Sequence, residues 1–317
     1  MMRILLVCII ICSVPLCVAG QERAPQELVD KALAGDDIAQ NSLGLFYKQN
    51  DDIDNAVAWF KKAAAQDNPA AMLNLGSLFL EQGNTDSKYW YLRAAEKEMA
   101  SAYRGLGLYY NQIEKDESLS IKWHEKAADN GDLVSQRILG DIYRGKGNVE
   151  LAVRWYSKSV DNGNITAMVR LGELYLSLKQ YSDAFSWYRK SAVSGDAASQ
   201  CQIGYMYAYG QGVDINHKEA RYWMQRAAEG GYAQAQFNLG LFYSRGSIGL
   251  PKDDDKAFDW FLKAANQGRA DAQNNVAIFC YRRKQNDKAE HWWRLAAEKG
   301  NADAKRNLKL RLNIVYP

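Results

Sequence analysis

Residues 203–236 read IGYMYAYGQGVDINHKEARYWMQRAAEGGYAQAQ. Apolar side chains three and four apart flank the loop Gly210-Gln211-Gly212-Val213, the pattern of two amphipathic helices joined by a turn. The pair recurs in both directions along the chain. Trp223 has counterparts at Trp59, Trp90, Trp123, Trp155, Trp187, Trp260 and Trp292, each followed four residues later by a small residue. Gly204 has counterparts at Gly44, Gly76, Gly107, Gly140, Gly172 and Gly240, each with an aromatic three residues on. The eighth copy carries Ala277 in that column, and successive copies lie 31 to 37 residues apart. A period of that size predicts an all-α solenoid of about eight helix-turn-helix repeats, elongated as one domain over 21–317.

Within each unit, helix A carries Ala-x-x-x-Leu-Gly-x-x-Tyr and helix B carries Ala-x-x-Trp-Tyr-x-Lys-Ala-Ala. A glycine inside a helix costs about 1 kcal/mol against alanine, so its recurrence calls for a packing reason. The expected reason is close approach of the helix bearing the tryptophan. Burial of an indole is worth at most about 5 kcal/mol, which makes the tryptophan column core. Replacing Trp155 by alanine is therefore expected to cost roughly 3 to 5 kcal/mol. Gly131, Gly163, Gly195, Gly231, Gly268 and Gly300, each eight residues after a tryptophan, fit the left-handed position that closes a helix. Both ends read as caps. Residues 26–34 form a lone B-type helix with Glu27 in the tryptophan slot, and Leu308 is followed by Lys309 where glycine would stand.

Residues 1–20 differ from the rest. Arg3 precedes an apolar run of 11 residues from Ile4 to Val14, and small residues lead to Gln21, the pattern of a secretory signal peptide cleaved after Ala19 or Gly20. The run is too short for a membrane span, which needs about 20 residues. The expectation is a periplasmic or secreted protein without stable membrane insertion after cleavage. Cys8, Cys12 and Cys17 leave with this segment, and Cys201 and Cys280 sit two repeats apart, too far for a disulfide. Net charge is +3, and loss of Arg3 leaves +2, which gives no reason to propose nucleic acid as a partner.

The paired motifs, with the Gly-x-Gly-Val loop at 210–213, resemble the Sel-like repeat (SLR), a relative of the tetratricopeptide repeat. The resemblance covers residues 26–312. Intervals through Gly204 are 31 to 33 residues, shorter than is usual for that family, because these copies lack most of the A-to-B loop. It implies a right-handed α/α superhelix acting as an adaptor or scaffold that holds a protein or peptide in its concave groove. A cysteine-rich subset of the family is described as penicillin-binding and beta-lactamase-like, which supplies the alternative reading of a hydrolase. This chain lacks that subset's in-repeat cysteine pairs.

On a helical wheel, the positions three before, one after and four after the glycine fall opposite the packed arc of helix A. In tetratricopeptide-type stacks that arc lines the groove. Here it includes Leu73, Leu80, Arg104, Leu108, Arg137, Asp141, Arg144, Glu173, Cys201, Tyr205, Ala208, Phe237, Leu241, Asn274, Ile278 and Tyr281. A contiguous apolar stripe of this kind marks a contact site. Asn74, Asn238 and Asn275, two before the glycine column, offer amides to an extended peptide backbone. Arg104, Arg137 and Arg144 form a basic cluster suited to a carboxylate. The competing reading is that the apolar members pack against one another and the arginines pair with Asp141 and Glu173.

Catalytic and metal patterns are missing from the sequence. His124, His217 and His291 fall in different repeats, and there is no HExxH, CxxC, Gly-x-Ser-x-Gly or Walker motif. Asp51, Asp52 and Asp54, like Asp253, Asp254 and Asp255, precede helix B and read as caps rather than calcium ligands. The expectation is a non-enzyme with no cofactor and no metal.

Overall fold

The computed structural model describes residues 23–313, and the segment 1–20 read as a signal peptide lies outside them. The chain divides into two compact units, the first ending at Ser135 and the second beginning at Gln136. All regular structure among the described residues is helical. The first unit contains α1 (Gln26–Leu33), α2 (Asp37–Gln49), α3 (Ile53–Ala65), α4 (Pro69–Glu81), α5 (Asp86–Ala95), α6 (Ala100–Tyr109) and α7 (Glu117–Asp129). The second contains most of α8 (Leu133–Gly145), then α9 (Val149–Asp161), α10 (Ile165–Ser177), α11 (Tyr181–Val193) and α12 (Ala197–Tyr209). It continues through α13 (His217–Glu229), α14 (Ala233–Arg245), α15 (Asp254–Asn266), α16 (Ala270–Arg282), α17 (Asn286–Glu298) and α18 (Ala302–Leu312). From α2 to α17 the even-numbered helices are A and the odd-numbered are B, which makes eight pairs, with α1 before them and α18 after them in sequence. None of these helices is long and apolar enough to cross a membrane.

The glycine column does admit a close approach, but the side chain that approaches is the one after the tryptophan. A Cβ on Gly44, Gly76, Gly107, Gly140, Gly172 or Gly240 would run into the ring of Phe60, Tyr91, His124, Tyr156, Tyr188 or Phe261 respectively, and one on Gly204 would press on Met224. These pegs are buried, as is Trp293, which holds the slot in the copy with Ala277. The helix bearing the tryptophan does approach as expected, but the reading of the tryptophan column as core is corrected, since the neighbouring residue fills that place. Helix B buries the residues three before, one after, and four and five after the tryptophan, a face centred about a quarter turn away from the indole. The residue four after is wholly buried in every copy, from Ala63 to Ala296, because only a small side chain fits there.

The indoles instead lie half-buried, with Trp223 the most covered. Several pack on core clusters shared by their own helix A and the helix before it. Trp59 packs on Ala32, Ala39 and Leu43, Trp187 on the cluster around Tyr156 and Leu171, and Trp260 on the cluster around Met224 and Leu239. A cation three residues on covers the outer ring face: Lys62 Nζ is 3.8 Å from the Trp59 ring, Lys190 3.9 Å from Trp187 and Lys263 4.0 Å from Trp260.

Backbone chemistry sets the boundaries. Gly35, Gly131, Gly163, Gly195, Gly231, Gly268 and Gly300 all have positive φ, between 82° and 99°, as the left-handed cap requires. Asp67 and Glu98 take that place in two copies, with φ of 66° and 56°. Asp52 and Asp253 accept the amide hydrogens of Asn55 and Lys256 at 3.2 and 2.9 Å, so these aspartates act as helix caps. Gln40, Gln200, Gln236 and Gln273 donate from buried Nε2 to the carbonyls of Ala32, Ala192, Ala228 and Ala265 at 3.0 to 3.2 Å. Each bond ties the start of helix A to a carbonyl in the last turn of the preceding helix that also accepts the amide hydrogen of the closing glycine. After α6, the longest of the short intervals is accommodated by a π turn, Tyr110–Glu114, ending at Lys115 with φ 57°. Gly212 has φ 75°, and a Cβ there would collide with the backbone at Tyr181 and Ser182, so the long α12–α13 loop lies against the start of α11.

Candidate partner-binding faces

In the first unit, the candidate positions are already engaged. Arg104 pairs with Asp132 at 2.5 Å, and the Asn74 amide donates to Asn41 Oδ1 at 2.9 Å. Leu73 and Leu108 are half-buried against the repeat cores, and Leu80 on the same arc is buried. Arg104 belongs to this unit, with its charge met by Asp132, and Arg137 and Arg144 belong to the second.

The second unit brings Arg137, Asp141, Arg144 and Glu173 together with Arg170, which the sequence reading passed over. Arg137 pairs with Asp141 at 2.5 Å, Arg144 with Glu173 at 3.3 Å, and Arg170 with Glu173 at 2.8 Å and Asp141 at 3.5 Å. The hydroxyl of the Tyr156 peg donates to Asp141 Oδ1 at 2.6 Å, and burial together with that bond raises its pKa. The Glu173 carboxylate holds the Arg170 pKa above its ordinary value. Three guanidiniums thus face two carboxylates. Arg170 sits two before Gly172, the column of Asn74, Asn238 and Asn275, so its position was available from the repeat register.

Farther along, the apolar members of the arc are mostly part of the core's edge. Phe237, Leu241, Ile278 and Tyr281 pack against the cluster around Phe261, Val276 and Trp293, and the guanidinium of Arg269 covers the Phe237 ring at 4.6 Å. Cys201, Ala208 and Asn274, placed on the exposed arc by the wheel, are buried instead. Both remaining cysteines are free and buried, and burial pushes the Cys201 thiol up to about 11. Asn238 donates to Cys201 Sγ at 3.6 Å and accepts from Gln234 at 2.9 Å, and Asn275 bonds the Asp271 carbonyl at 2.9 Å. Those amides are turned to the protein itself.

Tyr205 is different. It is 42% exposed and lies 4.5 Å, ring to ring, from Tyr209, which is 56% exposed one turn along α12. The two tyrosines, with Asn238, Leu241, Phe242 and Arg245 of α14 and Ser247 beyond it, line a concavity of about 140 Å³. Tyr209, Arg245 and Ser247 were not foreseen, since they lie off the arc and enter only through packing of α12 beside α14. Among the described residues, no group of three or more His, Cys, Asp or Glu side chains could hold a metal ion.

The family model of the Sel1 repeat matches residues 69–99, 100–132, 134–164, 197–232, 233–268 and 270–301. That of the tetratricopeptide repeat matches 39–68 and 165–192. Among solved structures, the chain is similar to a Sel1 repeat protein from Oxalobacter formigenes, with 28% identity over 90% of this chain and 89% of the other and a TM-score of 0.67. It is also similar to a protective antigen of uropathogenic Escherichia coli displaying an SLR fold, with 29% identity over 89% of this chain and 73% of the other and a TM-score of 0.53. No curated protein matches. Repeats of these two kinds build scaffolds typical of protein–protein interaction. With six copies of the motif covering more than half its length, the chain belongs to the Sel1 repeat family.

Proposed function

We propose that the protein is an exported, non-enzymatic scaffold that holds a partner protein or peptide along its helix A faces. The observation that carries this reading is the exposure of Tyr205 and Tyr209 beside Leu241, aromatic surface left open where an ordinary solvated helix would present lysine and glutamate. The surplus guanidinium among Arg137, Arg144 and Arg170 adds a place for an acidic group. Export rests on the segment 1–20.

The test is affinity capture from the exported fraction with the purified chain and with the double variant Arg137→Gln, Arg144→Gln. Half-exposed ion pairs are worth up to about 1 kcal/mol each, so the variant stays folded. Capture of a specific partner should weaken while the melting temperature changes little. Equal capture by both proteins would remove this cluster from the binding face. Turnover of a chromogenic cephalosporin by the wild type would overturn the non-enzymatic reading.

A further inference from the structure

The concavity between α12 and α14 has a composition unlike the rest of the helix A surface. Several helix A cations have carboxylate partners: Lys48 with Glu81, Arg104 with Asp132, Arg137 with Asp141, and Arg144 with Glu173, whereas Arg282, at the register of Arg245, lies over its own helix's Phe279 ring at 5.8 Å. Arg245 has neither an ion pair nor a hydrogen-bond partner among the described residues, and no carboxylate lines the concavity it borders. A basic residue in the last turn of a helix is favoured by the helix dipole, which accounts for its charge. The dipole does not account for two exposed tyrosines beside it.

We infer that this concavity is a docking subsite for an acidic peptide segment of a partner protein, with one apolar side chain against the Tyr205–Tyr209 pair and a neighbouring carboxylate on Arg245. The inference rests on the scaffold reading above and names the chemistry of what is held. Size selects the class of occupant. Small-molecule sites commonly enclose about 300–1,000 Å³. A space of about 140 Å³ takes a side chain, not a metabolite. Tilted, exposed tyrosine rings offer a face to an aliphatic or aromatic group. Leu241 supplies the apolar floor, while the Arg245 guanidinium, free to form two parallel hydrogen bonds, selects a carboxylate over an amide. Because Arg245 is exposed, its contribution is screened by salt.

A library of random twelve-residue peptides displayed on phage, selected against the full chain, provides an unbiased probe. Enriched sequences should carry aspartate or glutamate next to an apolar residue. A synthetic copy of the leading sequence should bind at least tenfold more weakly to Arg245→Glu and to Tyr205→Ser, and more weakly to wild type as sodium chloride rises. Both substitutions are at exposed positions, and unchanged melting temperatures will show that the variants are folded. Enriched peptides without acidic residues, or binding indifferent to Arg245→Glu, overturns the subsite. If such peptides depend instead on Arg137 and Arg144, the subsite falls and the scaffold reading stands. A library that yields no specific binder overturns the subsite, and the scaffold reading is then judged by capture from the exported fraction.

Discussion

At the scale of single residues, the side chain after each tryptophan is the one whose loss should be felt most. Tyr156 is wholly buried against Gly140 and bonds Asp141, so Tyr156→Ala should cost about 3 to 5 kcal/mol in denaturant unfolding. Trp155 is half-buried with Lys158 Nζ 5.1 Å from its ring, and Trp155→Ala should cost about 2 kcal/mol, below the figure expected from sequence. Equal losses at the two positions would contradict the assignment of the peg. In one copy the peg is His124, packed on Gly107 with Nδ1 3.2 Å from Ser135 Oγ. Burial depresses its pKa from 6.5 to about 4, with Asp132 opposing and Arg104 reinforcing the shift. The unfolded chain takes up a proton below pH 6.5 that the folded chain refuses until about pH 4. Stability should therefore fall through that window as pH drops, by up to about 3 kcal/mol, and His124→Phe should abolish the His124 part of that fall. Urea titrations of both proteins at pH 7.5 and pH 4.5 would check this.

At the scale of the element, the two ends of each helix are held by different chemistry. The N-termini use side-chain oxygens such as Asp52, Asp196 and Asn301, and the ends of most B helices use a glycine with positive φ. Where the chain lacks that glycine, the backbone keeps the same turn and bears the strain. Glu98, at φ 56°, should gain about 0.5 to 1 kcal/mol on Glu98→Gly. Gly195→Ala, at φ 99° with open space around its Cβ position, should lose about 1 to 2 kcal/mol from backbone conformation alone. Thermal melts of the two variants should move in opposite directions. The buried glutamines form a further column, four before the glycine, at Gln40, Gln136, Gln200, Gln236 and Gln273. The residue type shows in the sequence as a repeated polar letter on an apolar face. Its partner, a carbonyl eight residues back, exists only once two helices are antiparallel and close.

At the scale of the whole molecule, export and partner binding are where the functional reading stands or falls. The exported protein should begin at Gly20 or Gln21, as N-terminal sequencing or intact mass would show. Recovery only of a full-length cytosolic form starting at Met1 would remove the signal-peptide reading. The eight-fold register, the helix pairs and the left-handed glycine caps were legible in the sequence, because each rests on spacing along a single helix or on the backbone preference of one residue. Tertiary structure decided which face of helix B points inward, a choice that the conspicuous indole obscured and the alternation of small residues around Tyr156 encodes more faithfully. It also decided that Cys201 and Asn274 are buried, that Arg170 joins Arg137 and Arg144, and that Arg245 stands unpaired beside two tyrosines. The physical reason is common to all three. Periodicity sets the direction in which a side chain leaves its own helix, whereas burial and pairing depend on what the neighbouring helix places opposite, about 8 to 10 Å away and some thirty residues along the chain.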